Sequence, residues 1–280
     1  MSQPAVPYAG GPATTRAHCV LAPNPGPMTL DGTNTWVLAE PGAGRAVVVD
    51  PGPLVDGHLR AVLAQVDATG RRVGLVLLTH GHADHAEGAA RFAELAGGVA
   101  VRCLDPVHRL GSEGLTEGDV VAVDGLEVRV VGTPGHTSDS LSFVLTADAA
   151  VLTGDTVLGR GTTVVAHPDG RLGYYLASLD RLRSLAESAA VTTVLPGHGP
   201  VLPDALSAVE GYLSHRRERL AQVERALTAG ARTAREVLEV VYADVDRALW
   251  PAAERSVRAQ LSFLRDSAPG RPTSRPVRSP

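Results

Sequence analysis

"LLTHGHADHAEG", residues 77–88, sets His80, His82, Asp84 and His85 within six positions, directly behind an apolar run. The chain has only 10 histidines in 280 residues, so three in one short stretch do not follow from composition. Imidazole and carboxylate are the donors that suit zinc and similar divalent ions. Residues 74–79 (GLVLLT) predict a buried strand, and donors at its carboxyl end sit on a rigid support while facing solvent. A metal-binding loop is the first expectation.

The pattern recurs downstream. His136 in "VVGTPGHTSDS" follows a predicted strand at 126–131, Asp155 in "VLTGDTVLG" follows one at 149–153, and His198 in "TVLPGHGP" follows one at 192–195. The neighbouring glycines let the backbone bend close to an ion. Five histidines and two aspartates are enough for two ions with three or four protein donors each. Two ions about 3.5–4 Å apart lower the pKa of a shared water and clamp a displacement. His18, His58, His108 and His167 stand alone and read as surface or core-satisfied residues. Between the Asp155 and His198 segments, "HPDGRLGYYLASLDRL" (167–182) offers Tyr174, Tyr175 and Ser178 to a substrate, or packs them on a sheet. Tyr175 is the candidate substrate contact.

Further strands are predicted at 34–39, 45–50, 99–103, 119–123 and 141–146, and helices at 57–68, 86–96 and 173–188. Short strands with interspersed helices indicate a layered α/β domain over 1–205. From about 205 the apolar period changes to that of a helix, with Leu213, Leu220, Val223 and Leu227 in line and Gly230 ending the run. Thr233 to Glu236 fits a capping box that opens a second helix, and Pro251 opens a third that lines up Val257, Leu261 and Leu264. Residues 206–266 thus form a small helical unit, and the Pro/Ser/Arg-rich 267–280 is expected to be a disordered tail.

Composition narrows the class. The hydrophobic fraction of 44% supports a sizeable core, and no apolar run approaches the roughly 20 residues that span a bilayer. Pro and Gly interrupt the first residues where a signal peptide is apolar, and two cysteines make no disulfide framework, so a reducing cytoplasm is expected. There is no lysine; all 26 basic residues are arginine, which reads as codon bias. Residues 1–211 hold 13 Arg against 22 acids (−9) and residues 212–280 hold 13 Arg against 8 (+5), in agreement with the net −4. Such an asymmetry suggests an anionic partner for the C-terminal part.

The H-x-H-x-D-H run followed by a lone His, Asp and His, with the earlier Asp50 in "VVVDPG", resembles the metallo-β-lactamase-fold hydrolase superfamily over about residues 15–205. The resemblance implies an αββα sandwich with a dinuclear metal site at one edge of the two sheets. By position, His80, His82 and His136 would hold one ion, Asp84, His85 and His198 the other, and Asp155 would bridge them. Asp50 would fix the ligand loop without being a ligand. The family chemistry is hydrolysis by a metal-bound hydroxide, oriented here by Asp84, with zinc first and manganese or iron as alternatives. A bridging aspartate is typical of the glyoxalase II, lactonase and RNase branches and disfavours antibiotic hydrolysis.

"NPGPMTLDGTNTWVL" (24–38), "GDTVLGRGTTVVAHPDG" (154–170) and "YLSHRRERL" (212–220) resemble the branch of a mitochondrial β-lactamase-like single-strand endoribonuclease. That branch carries a winged-helix-like domain after the last His. Here the segment after the third helix is proline-rich where a wing hairpin belongs. Arg255, Arg258 and Arg265 fall on one side of the third helix, as in a helix that faces nucleic acid. Three readings follow: a single-strand endoribonuclease guided by those arginines, an ester or thioester hydrolase of the glyoxalase II type with the C-terminal helices as a lid, or a non-catalytic metal- or nucleic-acid-binding protein. Overall acidity and the lack of clustered aromatics favour a small substrate; the C-terminal charge favours RNA.

Overall fold

The computed structural model describes residues 7–267. Two sheets face each other. The first runs in the order β1 (Gly11–Pro12), β2 (Ala17–Leu21), β3 (Asn34–Leu38), β4 (Arg45–Val49), β5 (Arg72–Leu77) and β6 (Val101–Arg102), with the last two joins parallel. The second follows the order β11 (Thr193–Pro196), β10 (Ala150–Gly154), β9 (Leu141–Leu145), β8 (Leu126–Gly132) and β7 (Val120–Val123), with only β10–β11 parallel. Helices α1 (Asp56–Ala68), α2 (Ala83–Ala86) and α3 (Ala89–Leu95) belong to the first half, and α4 (Leu172–Glu187) and α5 (Ala205–Thr228) follow in the second.

Strand alternation explains the layering. In β4, Val47 and Val49 enter the core between the sheets, while Ala46 and Val48 pack outward with Leu59 and Val62 of α1. In β10, Leu152 points inward and Val151 outward to the cluster of Leu179 and Val209 from α4 and α5. Strands buried on both faces read as continuous apolar runs, which is why they were legible. The expected helix 86–96 is α3, which starts only at Ala89, because residues 87 and 88 turn out of α2. The Gly88 amide donates to the Gly52 carbonyl at 2.9 Å, and an added Cβ on Gly88 would meet the Gly52 and Pro53 carbonyl oxygens at 2.8 and 2.9 Å. The chain opens there to seat the ligand loop against the end of β4. Strands β1 and β2 were not expected; "AHCVL" is too short and mixed to carry a period.

α5 serves two units. Its first half packs Val209 and Leu213 against α4, and its second half gives Val223 and Ala226 to a separate core with α6 (Ala234–Val241) and α7 (Trp250–Asp266). The capping box forms as expected: Thr233 accepts from the Glu236 amide while Glu236 accepts from the Thr233 amide. Such a cap contributes about 1 kcal/mol. Ser267 caps α7, and the rest of the expected tail, 268–280, lies outside the described residues. Among the described residues no helix is long and apolar enough to cross a membrane; the segment where a wing hairpin would follow α7 lies outside them.

Candidate metal centre

All seven expected donors meet at the carboxyl ends of β5, β8, β10 and β11, on one edge of the sandwich. Parallel strands end on the same side, so residues up to 118 positions apart in sequence, His80 and His198, converge. Three groups of donor atoms lie within 4.8 Å of one another: His80, His82 and His136; Asp84, His85 and His198; and His80, His85 and Asp155. Asp155 faces both sides, with Oδ1 at 3.3 Å from His85 Nε2 and 3.4 Å from His198 Nε2, and Oδ2 at 3.6 Å from His136 Nε2. His198 Nε2 also lies 3.2 Å from Asp84 Oδ2.

The outer ring nitrogens decide the tautomers. His136 Nδ1–H donates to the Val164 carbonyl at 2.7 Å and His198 Nδ1–H to the Gly32 carbonyl at 3.0 Å. His85 Nδ1–H donates to Asp50 Oδ2 at 2.9 Å. Thr79 Oγ1 donates to the same Asp50 oxygen at 2.7 Å, so it accepts from His80 Nδ1–H at 3.0 Å. Each Nε2 lone pair is therefore turned inward, as a ligating imidazole requires. Only His82 presents Nδ1, which lies 3.1 Å from Nε2 of both His80 and His136.

These residues fit a metal. Donors about 2.0–2.1 Å from a tetrahedral zinc lie about 3.3–3.4 Å apart, close to the spacings above. Asp155 Oδ1 is buried with no hydrogen-bond partner, a place that a bound cation would fill. Burial holds the His80 and His136 imidazoles below their usual range, hence neutral. Burial opposes charge at Asp84, His85 and His198 alike, but without an ion the carboxylates of Asp155 and Asp84 hold His85 above its usual range and His198 at about 9. Those charged rings bring the Asp84 carboxyl to about 2; a metal would take the place of the ring protons. Gly197 is required by proximity: a Cβ there would sit 2.6 Å from Asp155 Oδ1.

Asp50 lies outside the cluster and accepts from the Thr79 amide at 2.8 Å, the Thr79 hydroxyl and His85. It adopts φ 50°, so the chain turns sharply to bring its carboxylate under the ligand loop. Thr79, a link in this network, was missed; its signal was its place immediately before the histidine run.

Tyr175 does not face a substrate. It is fully buried, and its hydroxyl donates to the Thr156 carbonyl at 2.7 Å, because its helical position turns it onto the sheet. A cleft of about 320 Å³ opens beside the donors, and His136 and Asp155 line it. Arg255, Arg258 and Arg265 are exposed and do not line it; in the same stretch α7 presents Ala252, Ala253 and Ser256 there instead. The arginines that do line it are Arg160, Arg216 and Arg219. Sequence reading missed these, although Arg216 falls on the apolar stripe of α5 with Val209, Tyr212, Leu213 and Val223, where a charge is out of place.

Residues 28–198 match the model of the metallo-beta-lactamase superfamily, and residues 233–266 that of the beta-lactamase associated winged helix domain. The chain belongs to the metallo-β-lactamase superfamily. It is 32% identical over 256 residues to the beta-lactamase-like protein 2 homolog of Caenorhabditis elegans, covering 88% of this chain and 82% of that protein. An atrochrysone carboxyl ACP thioesterase of Aspergillus fumigatus is 35% identical over 242 residues, covering 80% and 72%. A beta-lactamase domain protein from Burkholderia ambifaria superposes with a TM-score of 0.78 at 22% identity, covering 92% and 89%, which is likeness of fold. Membership, with the donor set in place, makes this a metallo-β-lactamase-fold hydrolase with a candidate metal site.

Proposed function

We propose that the protein hydrolyses an acyl thioester or ester, with zinc held by His80, His82 and His136 on one side and by Asp84, His85 and His198 on the other, and Asp155 shared. The observation that carries this reading is the cleft. At about 320 Å³ it matches the roughly 300–1,000 Å³ of small-molecule sites rather than a track for a polymer. Its walls include Met28, Leu158, Val245 and Leu249, an apolar setting suited to an acyl chain. The resemblance to a protein named as an ACP thioesterase agrees. Two free, buried cysteines accord with a reducing cytoplasm.

When bound, such ions supply a water of near-neutral pKa and polarise the carbonyl. Asp84, ionised and part-exposed, accepts a hydrogen bond from the attacking water and turns its lone pair to the carbonyl carbon. Asp50, through Thr79 and His85, keeps the donors in register while substrate enters. Water oxygen bonds to the acyl carbon, the C–S or C–O bond breaks, and the thiol or alcohol leaves with one of the two water protons. α5 and α7 form the wall that screens the reacting carbonyl from bulk water.

A single-strand endoribonuclease is the second reading, favoured by the winged-helix match and by the cleft of Arg232, Arg258, Arg265 and His167 on the C-terminal surface. Zinc-loaded protein assayed side by side on a thioester panel and on single-stranded RNA separates the two. Turnover of thioesters alone is expected; cleavage of RNA with no thioester turnover would reverse the choice.

A further inference from the structure

α5 brings His215, Arg216 and Arg219 to the cleft that exposes His136 and Asp155. Arg216 is only 4% exposed. It donates to the Thr163 carbonyl and lies over the Tyr175 ring, 4.9 Å from its centroid. Its Nε has no acceptor, and among the described residues it forms no ion pair. Arg219, beside it, donates to the Val241 carbonyl at 2.6 Å and lies 4.6 Å from the Tyr242 centroid, also without an ion pair among the described residues. His215 adds a buried Nδ1 without a partner.

Removing a guanidinium from water is costly unless an anion compensates it. The nearby carboxylates of Asp84 and Asp155 face the imidazoles and are committed to the metal site. Arg160, on the same cleft, already has its counter-ion in Asp31. One buried guanidinium without a counter-ion among the described residues is left lining a small cavity. Its planar fork suits a carboxylate or a phosphate.

We propose that Arg216, supported by Arg219, is an anion-binding subsite, and that the substrate carries a carboxylate or phosphate beside its reacting carbonyl. The reacting bond rests on the acyl-hydrolase reading above; the anion site does not.

Three thioesters separate the sources of the anion: succinyl N-acetylcysteamine, charged on the acyl side; acetyl phosphopantetheine, charged on the thiol side; and acetyl N-acetylcysteamine, uncharged. Zinc-loaded protein is expected to favour one charged substrate by about tenfold or more in kcat/KM. Arg216→Met should erase that preference through KM, with the uncharged substrate nearly unchanged, and Arg216→Lys should restore part of it. No preference in the wild type, or an equal loss on all three substrates, overturns the proposal. The equal loss would mean that Arg216 only holds the Thr163 loop. Calorimetric titration of the zinc-loaded chain with succinate and with inorganic phosphate gives a reading independent of cleavage. Arg216→Met, and Arg219→Gln if the first does not fold, should weaken the preferred anion by about tenfold and by less, respectively. Unchanged affinity overturns the anion site. Weakened affinity without cleavage of any thioester would keep the site and overturn the acyl-hydrolase reading instead.

Discussion

Asp84 and Asp155 are the two acidic donors, and their surroundings separate their roles. The Asp84 side chain is 29% exposed and that of Asp155 11%, so a water reaches Asp84 more freely. Asp84→Asn keeps the shape and removes the charge proposed to orient the attacking water. Turnover should fall by about two to four orders of magnitude with KM little changed, as steady-state kinetics will measure. The thermal midpoint of the metal-free variant should fall by only a few degrees, since the part-exposed Asp84 loses its charge beside His198 and His85 while the side chain keeps its place. Near-wild-type turnover would place the orienting group elsewhere. Every donor of the cluster was legible residue by residue, because each follows an apolar strand and few other histidines compete. Thr79 and Arg216 were not, since a threonine in a strand end and an arginine in a helix are ordinary in sequence.

Among the elements, α7 separates the two substrate readings. Its cleft side carries Ala252, Ala253 and Ser256, and its exposed side Arg255, Arg258 and Arg265. Arg258 pairs with Glu254 at 2.7 Å one turn earlier, an exposed pair of the kind worth about 0.3–0.5 kcal/mol. Replacing all three arginines with Gln should leave thioester turnover within about twofold, because no substrate contact is lost. Binding of single-stranded RNA, measured against salt, should keep a shallow slope in both proteins. A steep wild-type slope that flattens in the variant would instead make this face a phosphate-binding surface. The expected helix boundaries fell within a residue or so for α1 and α4, where the apolar period is sustained. The helix expected at 86–96 starts three residues later, at Ala89, because Gly88 answers to a contact with residues 52 and 53 that no local pattern records.

At the scale of the whole molecule, the donor cluster draws on both sheets, so ions bound there would tie them together. His80, His82, Asp84 and His85 come from the first sheet's side, and His136, Asp155 and His198 from the second. Metal analysis of protein purified without chelator should approach about two equivalents per chain, and Asp155→Ala should hold clearly fewer. Zinc at about a hundredfold its Kd contributes about 2.7 kcal/mol per site, so chelation should lower the thermal midpoint by several degrees. An unchanged midpoint would show that the sandwich edge is held without metal. Much of this architecture follows from local pattern. Period-2 and period-3.6 runs place strands and helices, and a histidine behind each of several strands places the donors on their carboxyl ends. Which donors meet is another matter. The split of Asp155 between His136 and the His85–His198 pair depends on how two sheets stack, and that depends on side-chain packing across the whole core. The rotation of α5 and α7 about their axes is likewise set by long-range packing, with Val209 and Leu213 against α4 and Val257 against α6. That rotation turns Arg216 into the cleft and Arg255, Arg258 and Arg265 away from it, because a helix offers arginines on every side and only its neighbours determine which side is covered.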